Sequence, residues 1–117
     1  MELRDLVEAL LQGDTLRARQ WVADAARRGL SWSDLPSPKE LSPVERAVAA
    51  SVVEMMASRA GQPAPPWAEA VPASPTTVFL VRAAESMPRL RRLCEEEGPA
   101  QLRKRRLLAP PEFLTWA

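Results

Sequence analysis

Leu3, Leu6, Val7, Leu10 and Leu11 recur at steps of three and four residues, with Arg4, Asp5 and Glu8 between them. That pattern predicts an amphipathic first helix ending near Gly13. Asp14 is a natural cap for a second helix, whose inward stripe is Ala18, Trp21, Val22, Ala25 and Ala26 and which closes at Gly29 behind Arg27 and Arg28. Two amphipathic helices joined by Gly13-Asp14 form a helical hairpin over residues 1–29. The segment Leu30 to Leu41 reads as a connector held extended by Pro36 and Pro38, with Trp32 and Leu35 as its anchors.

The stretch Ser42 to Gly61 is apolar nearly all round. Val44, Ala47, Val48, Ser51, Val52, Met55 and Met56 lie along one face, and Ala49, Ala50, Val53 and Ala57 fill much of the rest. Ser42, Pro43 and Glu45 supply a capping box with proline at the first helical position, and Gly61 with Pro63 supplies the stop. A helix apolar on all sides is normally buried, so 42–61 is the expected core helix. Any surplus apolar surface on it would also be explained by a homodimer.

Residues 62–74 form a stiff, proline-rich connector, with Trp67 and Val71 on one short turn begun at Pro66. Over Thr76 to Val81 the β-branched run suits a strand, while the Ser74-Pro75 start and the Arg82–Glu85 ending favour a helix. Pro88 to Glu97 turns Leu90, Leu93 and Cys94 inward and Arg89, Arg91 and Arg92 outward. Pro99 to Arg106 follows, with Leu102 inward and Arg103, Lys104, Arg105 and Arg106 mostly in solvent. Leu107-Leu108 are extended before Pro110-Pro111 start a last turn carrying Phe113, Leu114 and Trp116. The expected architecture is all-α: one domain over 1–117, a bundle of five to six helices around the buried 42–61 helix, with proline-rich connectors and short C-terminal helices over 75–117.

Composition narrows the chemistry. At 117 residues, 46% hydrophobic and 26% charged, the chain has the make-up of one soluble domain. Twelve prolines against four glycines make its connectors rigid. Histidine and tyrosine are absent, which removes the commonest general base and metal ligand. Cys94 is the single cysteine, so neither an internal disulfide nor a cysteine-based zinc site can form, and a cytoplasmic location is expected. Leu3 to Leu11 is too charged for a signal peptide, and no apolar run reaches the ~20 residues that span a bilayer. Net charge is +1, with 8 basic and 10 acidic groups up to residue 74 and 8 basic and 5 acidic after it.

No phosphate loop, metal-ligand cluster or assisted nucleophile is legible, and neither a cofactor nor catalysis is expected. Glu95, Glu96 and Glu97 point in different directions on a helix and read as a solvated face or an acidic patch for a partner. Cys94 reads first as a buried structural thiol and second as a nucleophile, which would need a lowered thiol pKa. The run Arg103, Lys104, Arg105 and Arg106 has three readings: a solvated helix end, contact with an acidic protein, or contact with nucleic-acid phosphates. Trp67, Phe79, Phe113 and Trp116 read as core anchors or as interface residues, since tryptophan and arginine dominate binding energy where they cluster.

The order AGQPAPPW, SPTTVFLVRAAES, PRLRRL and GPAQLRKRRLLAPPEFLTWA resembles a set of small, uncharacterised bacterial proteins. In those a helix ends in Gly-x-Pro-x-Pro-x-Trp, and a later Pro-x-x-Leu/Phe-Arg-x-Arg leads to a last hydrophobic segment. Such proteins are often encoded beside nucleotidyltransferase-like proteins in toxin–antitoxin-like pairs. The resemblance covers 61–117 and implies an antitoxin-like module that binds a protein partner, with Trp67, Arg103, Arg105 and Phe113 at the matching positions. A small nucleic-acid-binding regulator using 103–106 is the alternative.

Overall fold

A computed structural model describes residues 2–114. Helix α1 (Leu3–Gln12) buries Leu3, Leu6, Val7, Ala9 and Leu10. Gly13 then turns the chain at φ +72°, a conformation glycine adopts without steric cost. Asp14 caps α2 (Thr15–Arg27), its carboxylate accepting the Arg17 backbone N–H at 3.1 Å. The expected hairpin forms, and α2 buries Ala18, Trp21, Val22 and Ala25. Ala26, expected on that stripe, is exposed: one residue past Ala25 it is rotated about 100° away from α1. Trp21 donates its indole N–H to the Glu2 carbonyl at 2.9 Å and stacks, tilted, on Trp32 with centroids 5.9 Å apart. Trp32 opens a single 3-10 turn (Trp32–Asp34) and is buried as expected.

Helix α3 (Pro43–Arg59) carries the complete capping box: Ser42 Oγ accepts the Glu45 N–H at 3.2 Å, and Glu45 accepts the Ser42 N–H at 2.9 Å. It buries Ala47, Val48, Ala49, Ala50, Ser51, Val52, Val53, Met55 and Ala57. Such coverage is possible because α1, α4 (Pro66–Glu69) and α6 (Ala100–Arg103) all pack against it. The surplus apolar surface that suggested self-association through this helix is therefore covered by its own chain. Trp67, on α4, donates its indole N–H to the Leu35 carbonyl at 2.8 Å and ties the two proline-rich connectors together.

The helix favoured after Ser74-Pro75 does not form. Ser74 Oγ instead donates to the Thr76 carbonyl at 2.6 Å, a local turn that competes with helix capping. The β-branched residues beyond it supply strand β1 (Val78–Phe79), which pairs in parallel with β2 (Leu107–Leu108) in the register Val78↔Leu107 and Phe79↔Leu108. Val78 and Leu80 donate to the carbonyls of Arg106 and Leu108 at 3.0 and 2.9 Å. These long-range bonds satisfy the backbone that a local helix would otherwise have to satisfy. A 3-10 turn (Arg82–Glu85), α5 (Pro88–Glu97) and α6 make the crossover between the strands. Leu102 is buried as expected, whereas Leu93 is only half covered. Phe113 and Leu114 are buried in the turn after Pro110-Pro111; Trp116 lies outside the described residues.

The described residues thus form six α-helices with one two-stranded parallel sheet, an all-α architecture as expected. Most apolar side chains share one core centred on α3, and Ala84, Cys94 and Leu108 form a satellite cluster with Phe79 and Leu90. None of the described helices is long and apolar enough to cross a membrane.

Gly98 ends α5 with ordinary backbone angles, but a Cβ there would lie 2.5 Å from the carbonyl oxygens of Ala109 and Cys94. Both obstacles are backbone, so relief requires the end of α5 to unwind from the Cys94 carbonyl and to move off the chain following β2. Gly98→Ala is expected to lower stability by about 1–3 kcal/mol, read as a fall in the urea midpoint at unchanged slope.

Candidate functional site

The basic run does not form a patch. Arg103 folds back on α5, its Nε donating to the Gly98 carbonyl at 2.7 Å and its Nη1 to the Glu96 carbonyl at 3.2 Å. Lys104 pairs with Glu54 at 3.0 Å, and Arg106 donates to the Pro75 carbonyl at 3.3 Å from a backbone held at φ +64°. Arg105, expected in solvent, is only 3% exposed. Its Nε donates to the Val71 carbonyl at 3.1 Å, its Nη2 to the Ala68 carbonyl at 2.8 Å and its Nη1 to Ser51 Oγ at 3.4 Å; the same Nη1 pairs with the Glu54 carboxylate. Burial follows from this partner set: a guanidinium leaves water only where its donors are matched and its charge is balanced. The cue in the sequence was the pair Ser51 and Glu54, two polar groups within the most apolar helix, three residues apart and so on one side of it.

Glu54 sits at the edge of this cluster. Burial by itself would raise its carboxyl pKa, but hydrogen bonds from Arg105 and Lys104, with their charges, outweigh that and hold it below the ordinary 4.5. Cys94 is fully buried, and desolvation, assisted by the neighbouring Glu95 charge, raises its thiol pKa from the ordinary 9.0. Little thiolate is therefore available at neutral pH. Among the described residues no group of three or more His, Cys, Asp or Glu side chains could hold a metal ion.

One concavity arises from the strand pairing. Because β1 and β2 run the same way, the segments that follow them, Leu80–Arg82 and 110–114, leave the sheet at one end. There they meet the turn between α1 and α2, enclosing a cleft of about 440 Å³. Leu10, Ala18, Leu80, Phe113 and Leu114 supply buried apolar surface; Asp14, Thr15, Arg82 and Glu112 supply an exposed polar rim. Arg59 on α3 donates to the carbonyls of Phe113 and Pro111 and holds the C-terminal wall in place. A largely apolar cleft with a few polar groups around it is the usual form of a binding site.

The sequence-predicted site residues therefore separate. Phe113 lines this cleft; Trp67 lines a smaller groove of about 200 Å³ with Pro38, Leu41 and Val71. Lys104 and Arg105 converge on Glu54, while Arg103 and Arg106 bond to other parts of the chain. Leu80, Arg82 and the α1–α2 turn were not singled out from the sequence, because only the parallel pairing brings them beside Phe113. No protein-family model, curated protein or solved structure matches the chain.

Arg105→Met leaves Glu54 with Lys104 alone, removes the guanidinium donor from the Val71 carbonyl and leaves the Ala68 carbonyl only its backbone donor Val71. It is expected to cost about 3–5 kcal/mol, checked by urea unfolding at neutral pH. The lowered pKa of Glu54 contributes stability that is fully present above the ordinary carboxyl value of 4.5. That contribution is lost as pH falls through the still lower value of the folded state. Glu54→Gln should therefore flatten the stability–pH curve on that acid limb, measured as unfolding free energy against pH for both proteins.

Proposed function

We propose that this chain is a non-catalytic protein–protein interaction module, antitoxin-like, that binds and restrains or positions a partner protein in the cytoplasm. The observation that carries the proposal is the cleft between the α1–α2 turn and the residues following the two strands. Its apolar floor and charged rim suit a hydrophobic side chain or short segment of another protein. The resemblance of residues 61–117 to proteins encoded beside nucleotidyltransferase-like neighbours supports a partner of that kind. Against the alternative of nucleic-acid binding through 103–106, each of the four side chains is already engaged within the chain, and Arg105 is buried. Phosphate binding needs cations that are free to replace counterions.

Mixing the purified chain with the product of the neighbouring gene is expected to give a stable heterocomplex by light scattering. Thr15→Trp, at an exposed position on the rim, should fill the cleft and weaken that complex about tenfold or more, with the thermal midpoint nearly unchanged. Recovery of the chain alone from its native host under gentle conditions, with unchanged mass on mixing, overturns the reading. An affinity for mixed DNA or RNA that falls steeply with salt would favour the nucleic-acid alternative.

A further inference from the structure

Helix α5 carries its charges the wrong way round. Arg89, Arg91 and Arg92 occupy its N-terminal half and Glu95, Glu96 and Glu97 its C-terminal half, with no acid in the first turn and no base in the last. A helix favours the reverse, because its N-terminus is the positive end of the peptide dipole. Internal compensation is partial. Arg91 pairs with Glu95 at 3.8 Å in the weaker of the two (i, i+4) orientations and lies over the Phe79 ring at 5.0 Å. Arg103 satisfies the carbonyls of Glu96 and Gly98 but leaves the carboxylates untouched. Among the described residues, no ion pair or hydrogen bond engages the side chains of Arg89, Arg92, Glu96 or Glu97.

These four side chains, with Pro88 and the half-covered Leu93, line one shallow groove along the outer side of α5. Leu90 and Cys94 point the other way, into the satellite cluster. Along the groove the order is basic, apolar, acidic, and that order is its own complement when reversed.

We infer that the outer groove of α5 is an interface with a second copy of this chain, the two α5 helices packing antiparallel about a twofold axis near Leu93. Leu93 then meets the partner's Leu93, and Arg89 and Arg92 lie alongside the partner's Glu96 and the partner's Glu97. An isologous contact repeats each charge pair by symmetry, and opposed helix dipoles add to the attraction. The charge order that is unfavourable within one helix becomes favourable between two. A helix of ten residues is only about 15 Å long, so the contact belongs to the small, transient class of interfaces. This surface is separate from the cleft and does not depend on the proposed hetero-partner.

Sedimentation of the full chain tests it. The average mass should rise with concentration towards twice 13.0 kDa and fall back in about 1 M salt, where charges are screened beyond about 3 Å. The pair Arg89→Glu with Arg92→Glu should be monomeric, as should the pair Glu96→Arg with Glu97→Arg. An equimolar mixture of the two variant proteins should restore the dimer. Both substitutions move the charges in the direction the helix dipole favours, so helicity by circular dichroism should be kept. A wild-type chain that stays monomeric at millimolar concentration overturns the inference. So do variants that dimerise like the wild type, or a mixture that fails to associate.

Discussion

The guanidinium of Arg105 is the constraint on which the C-terminal half depends. It reaches across from the end of α6 to Ser51 and Glu54 on α3 and to the carbonyls of Ala68 and Val71 at the end of α4. One side chain thereby joins three segments that share few other polar contacts. The backbone carbonyl of the same residue accepts from Ser74 at 3.0 Å, so the chain entering β1 is set against the chain entering β2. A buried ion pair contributes little net stability over an apolar replacement, but it tolerates only one geometry. That geometry settles where residues 68–74 run, and with them the start of β1.

From the start of β1 follows the parallel pairing, and from the pairing the cleft. Two short strands bonded in parallel deliver the residues after them to one end of the sheet, where the α1–α2 turn closes the third side. The N-terminal hairpin and the C-terminal segment are thus brought together by a sheet of two residues per strand. Gly98 is the steric condition for this arrangement, since only a residue without a side chain lets the end of α5 approach the Ala109 carbonyl.

The polar surface divides accordingly. Basic residues near the core are consumed as structural donors: Arg59 holds the C-terminal wall, Arg103 caps α5 and Arg105 clamps α4. Arg89 and Arg92, which make no ion pair or side-chain hydrogen bond among the described residues, stand on the outer side of α5 opposite in sense to its dipole. Local rules are most often broken where a surface is used for something other than folding the chain.

The sequence by itself determined the N-terminal hairpin, the capped and buried α3, the anchoring of Trp32 and the short turn at Pro66. These rest on periodicity, capping and proline chemistry within a few residues of one another. Tertiary structure alone decided the rest. Local cues after Ser74 favour a helix, but hydrogen bonds to the carbonyls of residues about thirty positions later satisfy a strand instead. Arg105 was read as solvated because its neighbours in sequence are basic, while the groups that balance it lie on α3 and α4. The cleft had no local signature, since its walls come from three segments far apart in the sequence. Local patterns encode what a segment prefers, and burial of charge and pairing of strands depend on partners that only the folded chain supplies.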